Sequence, residues 1–236
     1  DIAVFNMLGY SFKDGSYVGR GVIESIGCNI DFKEGDLAMR GNFATVDDNL
    51  QIIDRRAGRI MKRIRVRKAQ LPHAALTEKI HFSDISASVV IEPTIAHRVT
   101  IRFRHDKIKL SEKVSNTDPA YDRINGMGIA KATISKPHIG ISESQENTVA
   151  AKTSAKLVNE FTDQAAKLLR NHPINNARSK IGKKPINAVL ARDSGNRYPD
   201  LEPIDRKYGI NVACIVDMPV EIGISKVLGM RALNAG

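Results

Sequence analysis

Two short apolar runs near the end of the chain, INAVLA at 186–191 and GINVACIV at 209–216, do most to limit how it can fold. Each is too short to cross a bilayer and too continuously apolar for a strand with one wet face, so each reads as a strand covered on both sides. The second run leads into EIGISKVLG (221–229), which reads as a helix, and strand, loop, helix is the βα unit of a parallel sheet. Upstream, ESQENTVAAKTSAKLVNEFTDQAAKLLRNHP places Ala150, Leu157, Val158, Phe161, Ala165, Leu168 and Leu169 on one stripe. That is an amphipathic helix, and Pro173 marks its end. The fold class is therefore α/β. With 236 residues and 42% hydrophobic content the chain can bury a real core, as one large domain or two small ones.

The remaining segments fill in this outline. IAVFNMLG (2–9) suits a helix or a buried strand, and VIESIG reads as a short helix ended by Gly27. LAMRGNFATV and LQIIDRR read as strands joined in a hairpin at Asp47, Asp48 and Asn49. RIMKRIRVRKAQ (59–70) is basic with apolar residues interleaved, and residues 71–80 suit a short helix. SASVVIE and HRVTIRFR follow as strands separated by Pro93. In the second, Val99, Ile101 and Phe103 face one way and Arg98, Thr100, Arg102 and Arg104 the other, giving a greasy back and a basic front. LSEKVSNTDP (110–119) is a polar loop, and INNARSKIGKKP reads as a mobile basic loop.

The formal net charge of +10 points to anionic partners. Tryptophan is absent and aromatics are 5% of the chain, so a stacking platform for single-stranded nucleic acid would be thin. The basic residues are also spread out rather than gathered in one run. There is no apolar run of membrane-spanning length and no signal-peptide pattern. Cys28 and Cys214 are far apart among apolar residues and read as buried, reduced thiols, which implies a cytoplasmic protein. The first residue is Asp1, as in a processed chain or a piece of something longer.

Three constellations could carry anion chemistry. DRRAGR holds Arg55, Arg56 and Arg59 directly after a strand, and the guanidinium fork suits phosphate and carboxylate. A solvated turn with local ion pairs is the competing interpretation. Arg192 and Asp193 follow an apolar strand, where ligand sites of open α/β sheets lie. There the arginine could hold an anion and the aspartate act as acid or base, or the two could simply pair. The basic front of HRVTIRFR, with Arg102 at its centre, is either an anion surface or a half-exposed sheet face. The six histidines show no metal-ligand spacing, GMGIAK fails the P-loop pattern, and there is no GxSxG elbow. Anion recognition is legible in the residues; a complete catalytic set is not.

RGNFATVD with IIDRRAGR, then HRVTIRFR, LSEKVSNTDP, HPINNARSKIGKKPINAVLARDSGNRYP and GINVACIVDMPVEIGISKVLGM resemble, in this order, the archaeal-type cofactor-independent phosphoglycerate mutases. Residues 60–96 match least. The resemblance implies an alkaline-phosphatase-like core carrying an inserted mixed-sheet α/β substrate-binding domain. It implies core segments at 1–29 and 205–236 flanking an inserted domain at 30–204. The implied activity is interconversion of 2-phosphoglycerate and 3-phosphoglycerate through a phosphoserine, without 2,3-bisphosphoglycerate. Two divalent metal ions (Mn, Mg or Zn) are implied, with their ligands and the nucleophilic serine outside this chain. Arg40, Arg55, Arg56 and Arg59 would then belong to the cradle for phosphate and carboxylate. Arg192 would hold the glycerate and Asp193 would handle its hydroxyl proton. The expected partner is a small phosphorylated acid, with no nucleic acid and no membrane. A related phosphotransferase or phosphatase, and a basic RNA-binding module, are the alternatives.

Overall fold

The computed structural model describes residues 1–13, 16–57, 72–124, 127–132 and 138–233. Strand β1 (Leu37–Val46) is the axis of the molecule, and all ten of its residues are buried. Strand β4 (Arg98–His105) pairs with it from Leu37↔Phe103 to Asn42↔Arg98. β7 (Ala188–Gly195) pairs along its other edge, from Ala38↔Gly195 to Ala44↔Ala188. β3 (Ala87–Pro93) continues the sheet outside β4, and β2 (Ile52–Asp54) pairs with the end of β1. The α/β expectation holds, and every pairing described in this five-stranded sheet is antiparallel. The one parallel pair described is β8 (Ala213–Ile215) with β9 (Arg231–Leu233), the strands that flank α7 (Pro219–Val227).

Helix α4 (Val149–Arg170) covers one face of the sheet. Its N-cap Thr148 accepts from the Ala151 N–H at 3.1 Å, and its Leu157, Val158 and Phe161 join Leu37, Met39, Ile101 and Phe103 in the main core. The rings of Phe103 and Phe161 meet edge to face at 5.5 Å. Helix α3 (Pro72–Lys79) adds Leu76 to this core. The greasy back of β4 is thus as expected.

The basic front of β4 is covered over Thr100 and Arg102 and half-buried at Arg98 and Arg104, and α2 (Arg20–Gly27) packs over that face. Ser25 and Thr100 share a hydrogen bond of 3.0 Å across the contact. A Cβ on Gly21 would lie 2.7 Å from the Ala38 oxygen, so only glycine lets the helix come this close. A second apolar cluster joins α1 (Ile2–Met7), α2 and α7 with Ile204 of α6 (Ile204–Tyr208). It therefore links both ends of the described chain.

Two segments depart from the sequence reading. The expected loop at 174–185 contains a helix, α5 (Pro173–Lys180). Pro173 opens this helix as well as following α4, and His172 accepts from the Ile174 N–H at 3.2 Å. Arg178 is buried and donates to the backbone oxygens of Lys184 and Ala57, which ties the segment down. The run 209–216 forms a strand only over Ala213–Ile215, with Ala213 and Ile215 exposed, since β9 is its only described neighbour in the sheet. A hairpin of β5 (Tyr121–Ile124) and β6 (Met127–Ala130) was not anticipated from sequence. The basic stretch 59–70 lies outside the described residues. Cys28 and Cys214 are free and half-buried, and burial pushes the Cys28 thiol up to about 12. Among the described residues no helix is long and apolar enough to cross a membrane.

Candidate anion-binding cleft

The expected strand at 186–191 runs on through Arg192 and Asp193 instead of stopping before them. Between Ala38↔Gly195 and Arg40↔Arg192 the partner strand advances two residues and β7 three, so β7 carries a bulge. Asp193 occupies it with φ +57°, a left-handed conformation that costs free energy outside glycine. The loop 110–119 closes over this irregularity. The Thr117 and Asp118 N–H groups both donate to the Ala191 oxygen, at 2.9 and 3.1 Å, and the Asp193 N–H donates to Asn116 Oδ1 at 3.3 Å.

That loop delivers Asp118, a fully buried carboxylate, between two arginines. Arg55 donates through Nε and Nη2 to its two oxygens at 3.1 and 2.7 Å, a two-pronged fork. Arg192 Nη1 donates to Oδ2 at 2.8 Å. Both guanidinium groups also lie over the Tyr121 ring, 5.2 and 4.5 Å from its centroid. On the opposite side Glu24, buried on α2, plays the matching part. Arg20 Nε donates to its Oε1 at 2.9 Å, and Arg40 Nε lies 3.4 Å from the same atom.

Arg20, Arg40, Arg55, Arg192 and Tyr121 line a cleft of about 220 Å³, together with Asn42, Arg56, His97 and Arg98. Six arginines face it and two buried carboxylates, Glu24 and Asp118, balance them in part. Among the described residues, neither Arg56 nor Arg98 makes an ion pair with an acid. The excess shows in the titration behaviour. Burial lowers Arg40 to about 10, with Glu24 opposing and Arg192, Arg20 and Arg98 adding to the drop. Burial and then the Arg98, Arg56, Arg192 and Arg40 charges hold His97 down at about 4. Both shifts mean that positive charge is disfavoured while no anion is bound, and an entering anion relieves that cost. The volume is below the ~300–1,000 Å³ of drug-sized pockets, which suits a small polyanion.

The structure brings Arg40, Arg55, Arg56 and Arg192 together on this cleft. Asp193 lies beside them, its carboxylate 3.6 Å from Arg192 Nε, but buried behind the lining and tight against Gly128 of the β5–β6 hairpin. Burial pushes its carboxyl up, against the pull of Arg192, Arg40 and Arg20. Arg102 does not line the cleft. It is buried further along β4, where its Nη1 donates to Ser88 Oγ at 3.4 Å. Arg59 lies outside the described residues. Sequence reasoning missed Arg20, Glu24, His97, Asp118 and Tyr121. Arg98 was visible on the basic front of its strand, but the others belong to separate segments that only the fold assembles.

The donor set suits an anion and not a metal. Among the described residues no group of three or more His, Cys, Asp or Glu side chains is placed to hold a cation, and the cleft's two buried carboxylates are engaged by arginines. What these residues can do chemically is bind and orient an anion.

Comparison with known proteins agrees with this picture. Residues 1–175 match the family described as 2,3-bisphosphoglycerate-independent phosphoglycerate mutase. The chain is 38% identical, over 98% of its length and 53% of the relative's, to the protein of that name from Aeropyrum pernix. It is 33% identical to the one from Methanosphaera stadtmanae, over 99% of this chain and 51% of that one. A solved cofactor-independent phosphoglycerate mutase from Thermoplasma acidophilum superposes with a TM-score of 0.63 at 26% identity, covering 99% of this chain and 56% of that structure. The chain thus spans about half the length of the relatives it matches. With its motifs in family order and its arginines gathered on one cleft, the chain belongs to the 2,3-bisphosphoglycerate-independent phosphoglycerate mutase family.

Proposed function

We propose that the complete protein interconverts 2-phosphoglycerate and 3-phosphoglycerate through a phosphoserine, and that this chain supplies the cradle for the substrate's anionic groups. The observation that carries this reading is the convergence of six arginines on one small cleft, two of them without an acidic partner among the described residues. Phosphoryl transfer needs charge neutralisation and in-line placement more than elaborate covalent chemistry, and fixed guanidinium groups provide both. A mutase must also keep glycerate bound after it has given up the phosphoryl group. Arg55 and Arg192, locked by Asp118 and stacked on Tyr121, are suited to hold a carboxylate through that interval. Asp193, buried with a raised pKa, is the candidate for the hydroxyl proton.

In this reading residues 30–204 form the inserted domain around the main core, and 1–29 with 205–236 form part of a phosphatase-like core. The cluster joining α1, α2 and α7 draws most of its members from the flanking segments, with Phe32, Ala38 and Ile204 packing into it from the other side. The serine nucleophile and the ligands of the divalent metals belong to the rest of the protein, which works in glycolysis and gluconeogenesis in the cytoplasm. A cleft this small favours a small molecule over a nucleic-acid backbone, which needs a long basic track.

The test is Arg56→Ala in the complete protein. Loss of one charge-assisted contact is expected to lower kcat/KM about a hundredfold with an unchanged circular dichroism spectrum. Kinetics equal to wild type would refute the role of the cleft. A panel of other small phosphorylated acids separates a mutase from a related phosphatase.

A further inference from the structure

Arg55 and Arg56 reach the cleft from a short and strained length of backbone. After β2 the chain turns at Asp54, Arg55, Arg56 and Ala57. The Arg56 N–H donates to Asp54 Oδ1 at 2.8 Å and the Ala57 N–H to the Asp54 backbone oxygen at 3.5 Å. Ala57 is fully buried with φ +42°, a left-handed conformation that a residue with a Cβ keeps only where its surroundings hold it. What meets it is Arg178 of α5, itself only 2% exposed. Arg178 Nη2 donates to the Ala57 oxygen, 121 residues away in sequence, and Nε donates to the Lys184 oxygen at 2.8 Å. The Lys184 ammonium lies 3.8 Å from Asp54 Oδ2, at the other end of the turn. The segment 178–184 thus touches the turn at both ends.

We propose that Arg178 is a positioning residue for the cleft: its guanidinium clamps the Ala57 carbonyl to α5 and so fixes the turn from which Arg55 and Arg56 meet the substrate. A buried charge is costly, and burial does disfavour the charged form of Arg178, with Asp54 opposing. Its hydrogen-bond acceptors among the described residues are nonetheless backbone oxygens. A neutral amide serves such acceptors at lower cost. Asn175, one turn earlier on the same helix, does so, donating to the Leu169 and Ile186 oxygens at 2.8 and 2.9 Å. What the guanidinium adds is a rigid planar fork that reaches carbonyls on two segments at once. An arginine that must be ordered as its ligand arrives loses affinity, so a strut behind the turn raises affinity without touching the ligand. Asp118 holds the Arg55 side chain, and Arg178 holds the backbone that bears it. This inference deepens the proposed function and rests on it, in that Arg55 and Arg56 are taken to contact the substrate.

Two variants of the complete protein decide it. Arg178→Met keeps the apolar stem and removes both donors, whereas Asn175→Ala loosens the same helix without touching Ala57. Both are expected to lower the midpoint of unfolding. Hydrogen exchange at the Arg56 and Ala57 amides is expected to quicken about tenfold in Arg178→Met alone. In that variant alone KM for 3-phosphoglycerate is expected to rise about tenfold, with kcat changed less than about twofold. Should either variant not fold, Arg178→Lys, which keeps the charge without the fork, or Asn175→Ser takes its place with the same expectations. Exchange or KM equal to wild type in the Arg178 variant overturns the proposal. So does an equal change in both variants, because that is what a merely structural contact of α5 produces. If the unaltered protein turns over 3-phosphoglycerate and exchange at the turn is unmoved, the mutase reading stands and this inference fails. If the unaltered protein does not turn it over, the mutase reading fails and exchange alone decides whether Arg178 fixes the turn.

Discussion

Asp118 holds two guanidinium groups with one carboxylate, and neither Arg55 nor Arg192 could keep its place as a flexible surface side chain. An arginine used for recognition loses affinity if it must be ordered when the ligand binds, so a buried acid that orders it beforehand is a positioning residue. Asp118→Asn keeps the shape and removes the charge. It is expected to destabilise the protein by about 3 kcal/mol in denaturant titration, because the buried Arg192 and the half-buried Arg55 lose their counter-charge. On the proposed function it is also expected, in the complete protein, to raise KM more than it lowers kcat, since arginines that grip ground state and transition state alike contribute uniform binding. Loss of stability with KM unchanged would reduce Asp118 to a purely structural role. At this scale the sequence shows what the arginines are but not which acids face them. Arg55 and Asp118 are 63 residues apart, and Arg20 with Glu24 is a local pair whose relation to Arg40 depends on packing.

Helix α2 links the cleft to the rest of the molecule, carrying Arg20 and Glu24 and meeting α7 along its length. The two helices touch through glycines. A Cβ on Gly223 would strike the Ile23 carbonyl, and one on Gly27 the Pro219 carbonyl. Gly223→Ala is therefore expected to cost about 2 kcal/mol of stability, read as a lowered midpoint in thermal or denaturant unfolding. Because the displaced helix bears Glu24, affinity for sulfate should fall as well. Unchanged stability would mean that the helices separate without penalty. Element types were largely legible from periodicity: α4 from its stripe, β4 from its alternation, α7 from its place after an apolar strand. α5 was not, because a composition of Asn, Lys and Arg reads as loop, and the helix rests on a proline start and the burial of Arg178. The β5–β6 hairpin was missed because it is short and rich in glycine, and it rests on β7 around Gly128.

For the molecule as a whole, the apolar surface is unevenly distributed. Met7 is 86% exposed and Ile215 is 74% exposed, with Ile210 and Tyr208 also open near α1. Exposed apolar side chains of this kind favour association. The 236-residue chain prepared by itself is expected to self-associate in sedimentation analysis, and Met7→Lys combined with Ile215→Lys to reduce it. A monodisperse monomer would count against this. The sequence by itself determined the α/β class, the family, the positive charge and the cleft's main arginines, because hydrophobic periodicity and ordered motifs are properties of the chain read locally. The expected domain limits at 29–30 and 204–205 remain a reading of the two cores. Only the tertiary structure decided that Arg102 stays off the cleft while Arg20 and Arg98 join it, that Glu24 and Asp118 anchor the arginines, and that His97 stands unpaired among them. Those are relations between segments brought together by strand register and a helix crossing a sheet, and no local pattern in the sequence records them.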